Sequence, residues 1–202
     1  MNGGWQVAKA ALCRSVMNPI EAVAVVLGLA NIALIIRRSI WNYPFGIVMV
    51  VLYAHIFWDA KLYSDAGLQV FFLLVQFYGW VAWSSRQGDD GRVIVARMGA
   101  QERLIWATAS VLAVIVWGTI MHRLTDAAYP YWDGAIAMLS VAAQIMMTRR
   151  QIENWWWWIV VDVLAIGLFA VKGLWLTSGL YGVFLVMATY GLIEWRRQMR
   201  PA

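Results

Sequence analysis

Seven long apolar stretches, separated by short charged segments, constrain this chain more than any other feature. They lie near Ile20–Ile36, Trp41–Trp58, Asp65–Trp83, Leu104–Met121, Trp132–Thr148, Trp155–Val171 and Leu174–Trp195. A helix of about 20 residues crosses the apolar part of a bilayer. Of the 202 residues, 62% are hydrophobic and 13% are charged, whereas about 25% are charged in a typical soluble domain. The sequence therefore predicts an all-α integral membrane protein with seven transmembrane helices and excludes an ordinary soluble enzyme.

An internal repeat groups these helices. Shifting the chain by 112 positions aligns Arg37–Trp83 with Arg149–Trp195 without gaps. The most specific matches are Arg37-Arg38 with Arg149-Arg150, Asn42 with Asn154, Tyr78-Gly79 with Tyr190-Gly191, and Trp83 with Trp195. Three helices reverse the direction of the chain, and helix 4 restores it, so the repeat predicts a 3+1+3 arrangement of parallel three-helix bundles. Parallel repeats are a transporter architecture with a substrate site near mid-membrane, although duplication for stability alone is the alternative.

The repeat and its flanking segments define four regions. We expect an interfacial amphipathic segment over residues 1–18, a first three-helix bundle over 19–84, a cytoplasmic loop with linker helix 4 over 85–121, and a second three-helix bundle over 130–197. In the first region, Trp5, Ala8, Leu12 and Val16 recur at helical spacing. The loop contains Gly88-Asp89-Asp90-Gly91 and is predicted to be a flexible linker.

Orientation follows from the basic residues. If the chain crosses the membrane seven times, 11 of the 16 Lys and Arg lie on the same side of the membrane as the C-terminus, and 5 lie on the side of the N-terminus. The positive-inside rule therefore predicts a cytoplasmic C-terminus and an external N-terminus. The net charge of +5 is then an orientation signal and does not indicate a nucleic-acid partner. Cys13 is the single cysteine, so no intramolecular disulfide can form.

Helix 6 carries the most informative polar residues. Asp162 lies eight residues after Asn154, which is about 12 Å along a helix and near the middle of the apolar layer. A carboxylate at that depth is a functional candidate by default. One face of the helix presents Trp158, Asp162, Ala165, Phe169 and Lys172, with Asn154 and Trp155 at its outer end. Aromatic faces and a carboxylate favour a flat, partly polar, cationic ligand.

Each of these residues also has a structural interpretation. Asp162 could donate or accept a hydrogen bond with a neighbouring helix, and Lys172 could extend to the membrane surface. Trp156 and Trp157 are predicted to face lipid as part of an aromatic belt. The amides Gln144, Gln69 and Asn42 are further candidates for a polar lumen, with interhelical hydrogen bonding as their alternative.

Several kinds of chemistry lack their motifs. The sequence has no phosphate-binding GxxxxGK[ST] loop, no HExxH motif, and no Cys/His cluster. We therefore expect no cofactor, no metal site and no enzymatic activity. An integral-membrane enzyme or a membrane scaffold is the competing class, but an enzyme needs a reactive pair and a scaffold needs an extended soluble surface.

The motifs WNYPFGI, AKLYSDAGLQVFF and Lys172-Gly173-Leu174, together with the pattern of Asn154, Trp155, Trp158 and Asp162, resemble the PnuC family of nicotinamide riboside transporters. The resemblance covers about residues 20–196 and implies a full-length relative of the SWEET fold. It implies facilitated diffusion of nicotinamide riboside across the bacterial inner membrane, with trapping by a cytoplasmic kinase. Carried over by residue, it implies a substrate site at Asn154, Trp155, Trp158, Asp162 and Gln144, followed by Asn42, Gln69 and Lys172.

Two further expectations accompany this resemblance. Related families are associated with thiamine, riboflavin or nucleosides, so another vitamin such as thiamine or riboflavin remains an open substrate. Small multi-span transporters often associate, so we expect a homo-oligomer in the lipid bilayer, with a trimer as the working assumption.

Overall fold

The computed structural model describes residues 19–59, 63–88, 90–124, 129–173 and 175–199. These residues form seven α-helices and no extended strand. The helices are α1 Pro19–Ile36, α2 Asn42–Asp59, α3 Tyr63–Ser84, α4 Ala100–Leu124, α5 Pro130–Thr148, α6 Asn154–Val171 and α7 Trp175–Gln198. The predicted helix count and the order of three, one and three are confirmed. The predicted amphipathic segment over 1–18 lies outside the described residues, and the domain boundaries stay predictions.

The helices expose apolar surface, as a protein surrounded by lipid does. Among the described residues, α4 and α6 are long and apolar enough to cross a membrane by length and composition. The apolar segments Val23–Ile36 and Asn42–Ile56 in α1 and α2 are shorter. On α4 the buried residues are Ser110 and Gly118, while most of its large aliphatic side chains are exposed. Exposed aliphatic side chains on this scale suit acyl chains rather than water.

The chain divides into two compact units. The first contains the described residues up to Ile32 together with Trp41–Phe77. Its interior holds buried amides at Asn31, Asn42 and Gln76. The Asn31 side chain donates a 2.6 Å hydrogen bond to the Asn42 carbonyl, and Gly46 leaves room for both the Asn31 and Gln76 amides. These contacts match the interhelical role that buried amides have in membranes.

The second unit contains Ala33–Ile40 and the described residues from Tyr78 onward. Here α4 packs against α5, α5 against α6, and α6 against α7. The Trp157 indole donates a 3.1 Å hydrogen bond to Ser110 Oγ on α4, and its ring packs against the core formed by Met98, Ala142 and Met146. The prediction that Trp157 faces lipid is therefore wrong, because α4 covers it. Trp156 is exposed, as a belt residue should be.

Two helices end in the same unusual way. Arg38 and Arg150 follow α1 and α5 and have positive φ angles of 57° and 62°. Each carries the paired backbone hydrogen bonds of a Schellman motif, in which glycine is the usual residue. The strain in a non-glycine residue costs about 1 kcal/mol or more. Side-chain bonds help to offset that cost, since Arg38 donates to the Val93 carbonyl and Arg150 to the Ile94 carbonyl.

Two buried tryptophans confirm the repeat by exchanging hydrogen bonds between its copies. The Trp83 indole at the end of α3 donates 3.2 Å to the Met147 carbonyl at the end of α5. The Trp195 indole near the end of α7 donates 3.2 Å to the carbonyls of Ile35 and Ile36 at the end of α1. The shift of 112 positions takes Trp83 to Trp195 and Ile35 to Met147. Equivalent donors therefore meet equivalent acceptors.

The loop between α3 and α4 docks onto both arginine turns. The Val93 amide donates to the Arg38 carbonyl at 3.2 Å, and the Ala96 amide donates to the Arg150 carbonyl at 2.8 Å. The Ala96 carbonyl in turn accepts from the Ile152 amide. The prediction of a flexible linker is therefore wrong for residues 92–98, because backbone hydrogen bonds hold this part of the loop in place. No pattern of side chains in the sequence reveals such bonds.

Candidate functional site

The candidate site begins at the first residue of α6. Asn154 is fully buried, and its side-chain nitrogen donates a 2.6 Å hydrogen bond to the Gln151 carbonyl. This bond fixes the amide plane. The Asn154 Oδ1 atom is buried and accepts no hydrogen bond from the described residues. A buried acceptor without a donor is costly, so this oxygen is suited to a ligand.

Trp155 is clamped by α7. Its ring is 1% exposed and meets the Trp195 ring edge-on, with centroids 5.4 Å apart. Gly191 makes this approach possible, since a Cβ atom there would lie 2.6 Å from the Trp155 ring. The Trp155 Nε1 atom is buried and, within the part of the chain described, has no acceptor. The Trp155 ring is therefore held rigidly, while its Nε1–H group can still donate a hydrogen bond to a ligand.

Asp162 lies two turns further along α6 and is 3% exposed. None of the described side chains forms a hydrogen bond or an ion pair with it. The structural alternative, a hydrogen bond to a neighbouring helix, therefore gains no support from these residues. One turn earlier, the half-buried Trp158 has a buried Nε1 atom that also lacks an acceptor among them.

Aromatic side chains flank the carboxylate. Phe169, on the same α6 face, stacks on Tyr181 of α7 with centroids 5.3 Å apart and planes 22° apart. Tyr181 in turn meets Phe184 edge-on at 5.7 Å. The Tyr181 hydroxyl lies within electrostatic reach of both Asp162 and Asp133. Sequence reasoning missed Tyr181, although the repeat offered a signal, because a shift of 112 positions takes the candidate Gln69 to Tyr181.

The remaining candidates lie in different places. Gln144 is half-buried on α5, the helix that packs against α6. Lys172 follows the last residue of α6 and is exposed. This agrees with the interpretation that its side chain extends to the membrane surface. Asn42 and Gln69 belong to the first unit, where Asn42 is buried and Gln69 half-buried. The second unit thus brings together Asn154, Trp155, Trp158 and Asp162 along one helix.

This arrangement can bind a ligand, and its described residues include no pair of a nucleophile and a base. It offers a carboxylate, an amide oxygen, two indole N–H donors and aromatic faces, all in a low-dielectric interior. Across the described ranges, no three His, Cys, Asp or Glu side chains come together as metal ligands. Such a set is chemically suited to a flat molecule that carries both hydroxyl groups and positive charge.

Comparison with known proteins identifies the family of this chain. Residues 18–197 match the family model described as the nicotinamide mononucleotide transporter. The nicotinamide riboside transporter PnuC of Escherichia coli strain K12 is 30% identical, over 90% of this chain and 86% of the relative. The riboflavin/roseoflavin transporter RibM of Streptomyces davaonensis is 28% identical, over 90% of this chain and 88% of the relative.

A solved structure has the same fold as this chain. The crystal structure of the vitamin B3 transporter PnuC matches with a TM-score of 0.72 and 28% identity, over 95% of this chain and 86% of that one. The family and the matched structure are transporters rather than enzymes, which agrees with the prediction from the missing catalytic motifs. The chain is a multi-pass membrane transporter that belongs to the nicotinamide mononucleotide transporter family.

Proposed function

We propose that this protein carries nicotinamide riboside across the bacterial inner membrane by facilitated diffusion. The proposed substrate contacts are Asn154, Trp155, Trp158, Asp162 and Gln144, with Tyr181 and Phe169 as an aromatic wall. Relatives that are 30% identical over about nine-tenths of this chain are nicotinamide riboside transporters by name, which supports the choice of substrate.

The proposal depends mainly on the buried polar groups of α6 that have no hydrogen-bond or ion-pair partner among the described residues. Nicotinamide riboside has a flat pyridinium ring with a positive charge and a ribose with hydroxyl groups. The pyridinium offsets the buried charge of Asp162, which otherwise lacks a counter-ion among the described residues. The ribose hydroxyls can donate to Asn154 Oδ1 and accept from the indole of Trp155 or Trp158. Each of these buried polar atoms then gains a partner that it lacks among the described residues.

The proposed mechanism is alternating access without an energy source. The sequence has no phosphate-binding loop for ATP, so net uptake needs a sink for the substrate. A cytoplasmic nicotinamide riboside kinase provides that sink by adding a phosphate group, whose negative charge the Asp162 carboxylate repels. The excess of arginine on one side supports an external N-terminus and a cytoplasmic C-terminus. The proposal also retains a homotrimer as the assembly.

The test uses proteoliposomes that contain the purified protein. Without an energy source, labelled nicotinamide riboside should reach equal concentrations inside and outside, and excess thiamine should compete poorly. With the kinase and ATP enclosed, label should accumulate beyond this equilibrium. Absence of uptake for every vitamin would contradict transport, while uptake of thiamine alone would contradict the choice of substrate.

Riboflavin is the second candidate substrate, since RibM is a relative with 28% identity over 90% of this chain. Its ring system is uncharged, so its affinity should depend little on the charge of Asp162. Nicotinamide riboside should bind at least tenfold more tightly than riboflavin in a competition assay. Tighter riboflavin binding would replace the proposed substrate.

The mass of the detergent-solubilised protein, corrected for bound detergent, tests the trimer against multiples of 22.9 kDa.

A further inference from the structure

A cavity of about 660 Å³ lies where the α3–α4 loop meets the first turns of α4 and α6 and the last turns of α7. Its walls include Arg97, Arg103, Glu153, Trp156 and Arg196. It does not include Trp158 or Asp162. We propose that this cavity binds the phosphate-bearing headgroup of an anionic phospholipid.

The charge of the cavity is the first argument. Three arginines line it against one carboxylate. Glu153 is already engaged, since its Oε1 atom accepts a 3.0 Å hydrogen bond from Arg103 Nε and its carboxylate also accepts from the Met98 amide. In the described part of the chain, Arg97 and Arg196 have no carboxylate within ion-pair distance. Two guanidinium groups therefore remain for a phosphate diester, whose oxygens match the geometry of the guanidinium donors.

The rim of the cavity carries residue types that are typical of the membrane surface. The Arg196 guanidinium lies 5.3 Å from the centre of the Trp156 ring, a cation–π contact that orients the guanidinium. Trp156 is 46% exposed. Tryptophan is enriched at the level of lipid headgroups, where its ring and its N–H group meet different surroundings. The cavity therefore opens at the depth at which a phospholipid carries its phosphate.

Apolar surface continues from the cavity into the membrane. Ala107 and Trp156 line the cavity, and the residues one turn further along their helices are Val111 and Val160, both exposed. On a helix, positions four apart lie one above the other. Acyl chains can follow these valines while the headgroup occupies the arginines. A soluble phosphate would use only the arginines, which is why the observations favour a lipid.

Native mass spectrometry of the delipidated full-length protein tests this proposal. Phosphatidylglycerol should bind at least tenfold more tightly than phosphatidylcholine with the same acyl chains. Arg97→Gln and Arg196→Gln should each weaken phosphatidylglycerol binding about fivefold, the factor expected for one arginine near anionic lipid. Arg197→Gln is the matched control, because Arg197 is the next residue on α7 and is exposed but does not line the cavity.

The outcomes separate the possible sources of phosphate. Glycerol 3-phosphate at the same concentration should not displace the lipid, and displacement by it would replace the lipid with a soluble phosphate. Equal loss of phosphatidylglycerol binding in Arg196→Gln and Arg197→Gln would overturn the site. No change in Arg97→Gln and Arg196→Gln would overturn it as well. Because the readout is lipid binding, it is independent of whether nicotinamide riboside is transported.

Discussion

Replacing Asp162 with asparagine keeps the size of the side chain and removes its negative charge. Asp162 is 3% exposed, so little water screens it from a bound cation. A pair of charges about 4 Å apart interacts by about 4 kcal/mol at the effective dielectric constant of a protein. Desolvation of the ligand reduces this gain, and a hydrogen bond to a charged group contributes about 1.5–3 kcal/mol net.

We therefore expect Asp162→Asn to weaken nicotinamide riboside binding by about 2–3 kcal/mol, which is about 30- to 150-fold in Kd. Isothermal titration calorimetry on the purified protein measures this change. The reduced form of the ligand has an uncharged dihydropyridine ring of similar shape, so it should lose much less affinity. This second ligand separates the effect of charge from that of shape.

Asp59→Asn is the control, because Asp59 is the last residue of α2 and is exposed. It should leave both affinities unchanged. An unchanged Kd for Asp162→Asn, in protein that elutes and melts like the wild type, would refute the assignment of the cation to this carboxylate. An equal loss for the charged and uncharged ligands would show that Asp162 acts through shape or hydrogen bonding instead.

Three changes test the packing around the site by thermal unfolding in detergent. Trp195→Phe keeps a buried ring but removes the indole bonds to the end of α1, so it should cost about 1–3 kcal/mol; no destabilisation would contradict a structural role for these bonds. Gly191→Ala places a methyl group against the Trp155 ring and should cost about 1–3 kcal/mol, whereas Gly182→Ala meets open space and should be neutral or stabilising. Glu153→Gln leaves the partly exposed Arg103 without its carboxylate and should cost about 1–2 kcal/mol; an unchanged melting temperature would show that the pair contributes nothing.

The sequence predicts most of the helices because lipid imposes a simple requirement. A long apolar run must become a helix, so the positions of Arg37-Arg38 and Arg149-Arg150 already mark where α1 and α5 end. Helix ends are predicted less well. Helix α4 begins at Ala100, before its apolar part, because Gln101, Glu102 and Arg103 are good helix formers in themselves.

The candidate site was only partly predictable. Asp162 stands out because a carboxylate within an apolar run is rare. The environment of each tryptophan depends on what covers it, and four consecutive tryptophans give no sign that α4 covers Trp157 while Trp156 stays exposed. The docking of the α3–α4 loop was not predictable at all, because backbone atoms make its hydrogen bonds and every residue except proline offers the same donor and acceptor.

The exchanged indole bonds of Trp83 and Trp195 constrain how the two copies of the repeat can diverge. In each bond the donor is a side chain and the acceptor is a backbone carbonyl. Substitution of Met147 or Ile35 by another apolar residue keeps the acceptor, whereas few substitutions of the tryptophan keep the donor. Selection for this contact therefore falls on one residue of each pair. The ends of α1 and α5 can therefore change in sequence without losing these bonds as long as they keep their backbone path, and the two tryptophans cannot.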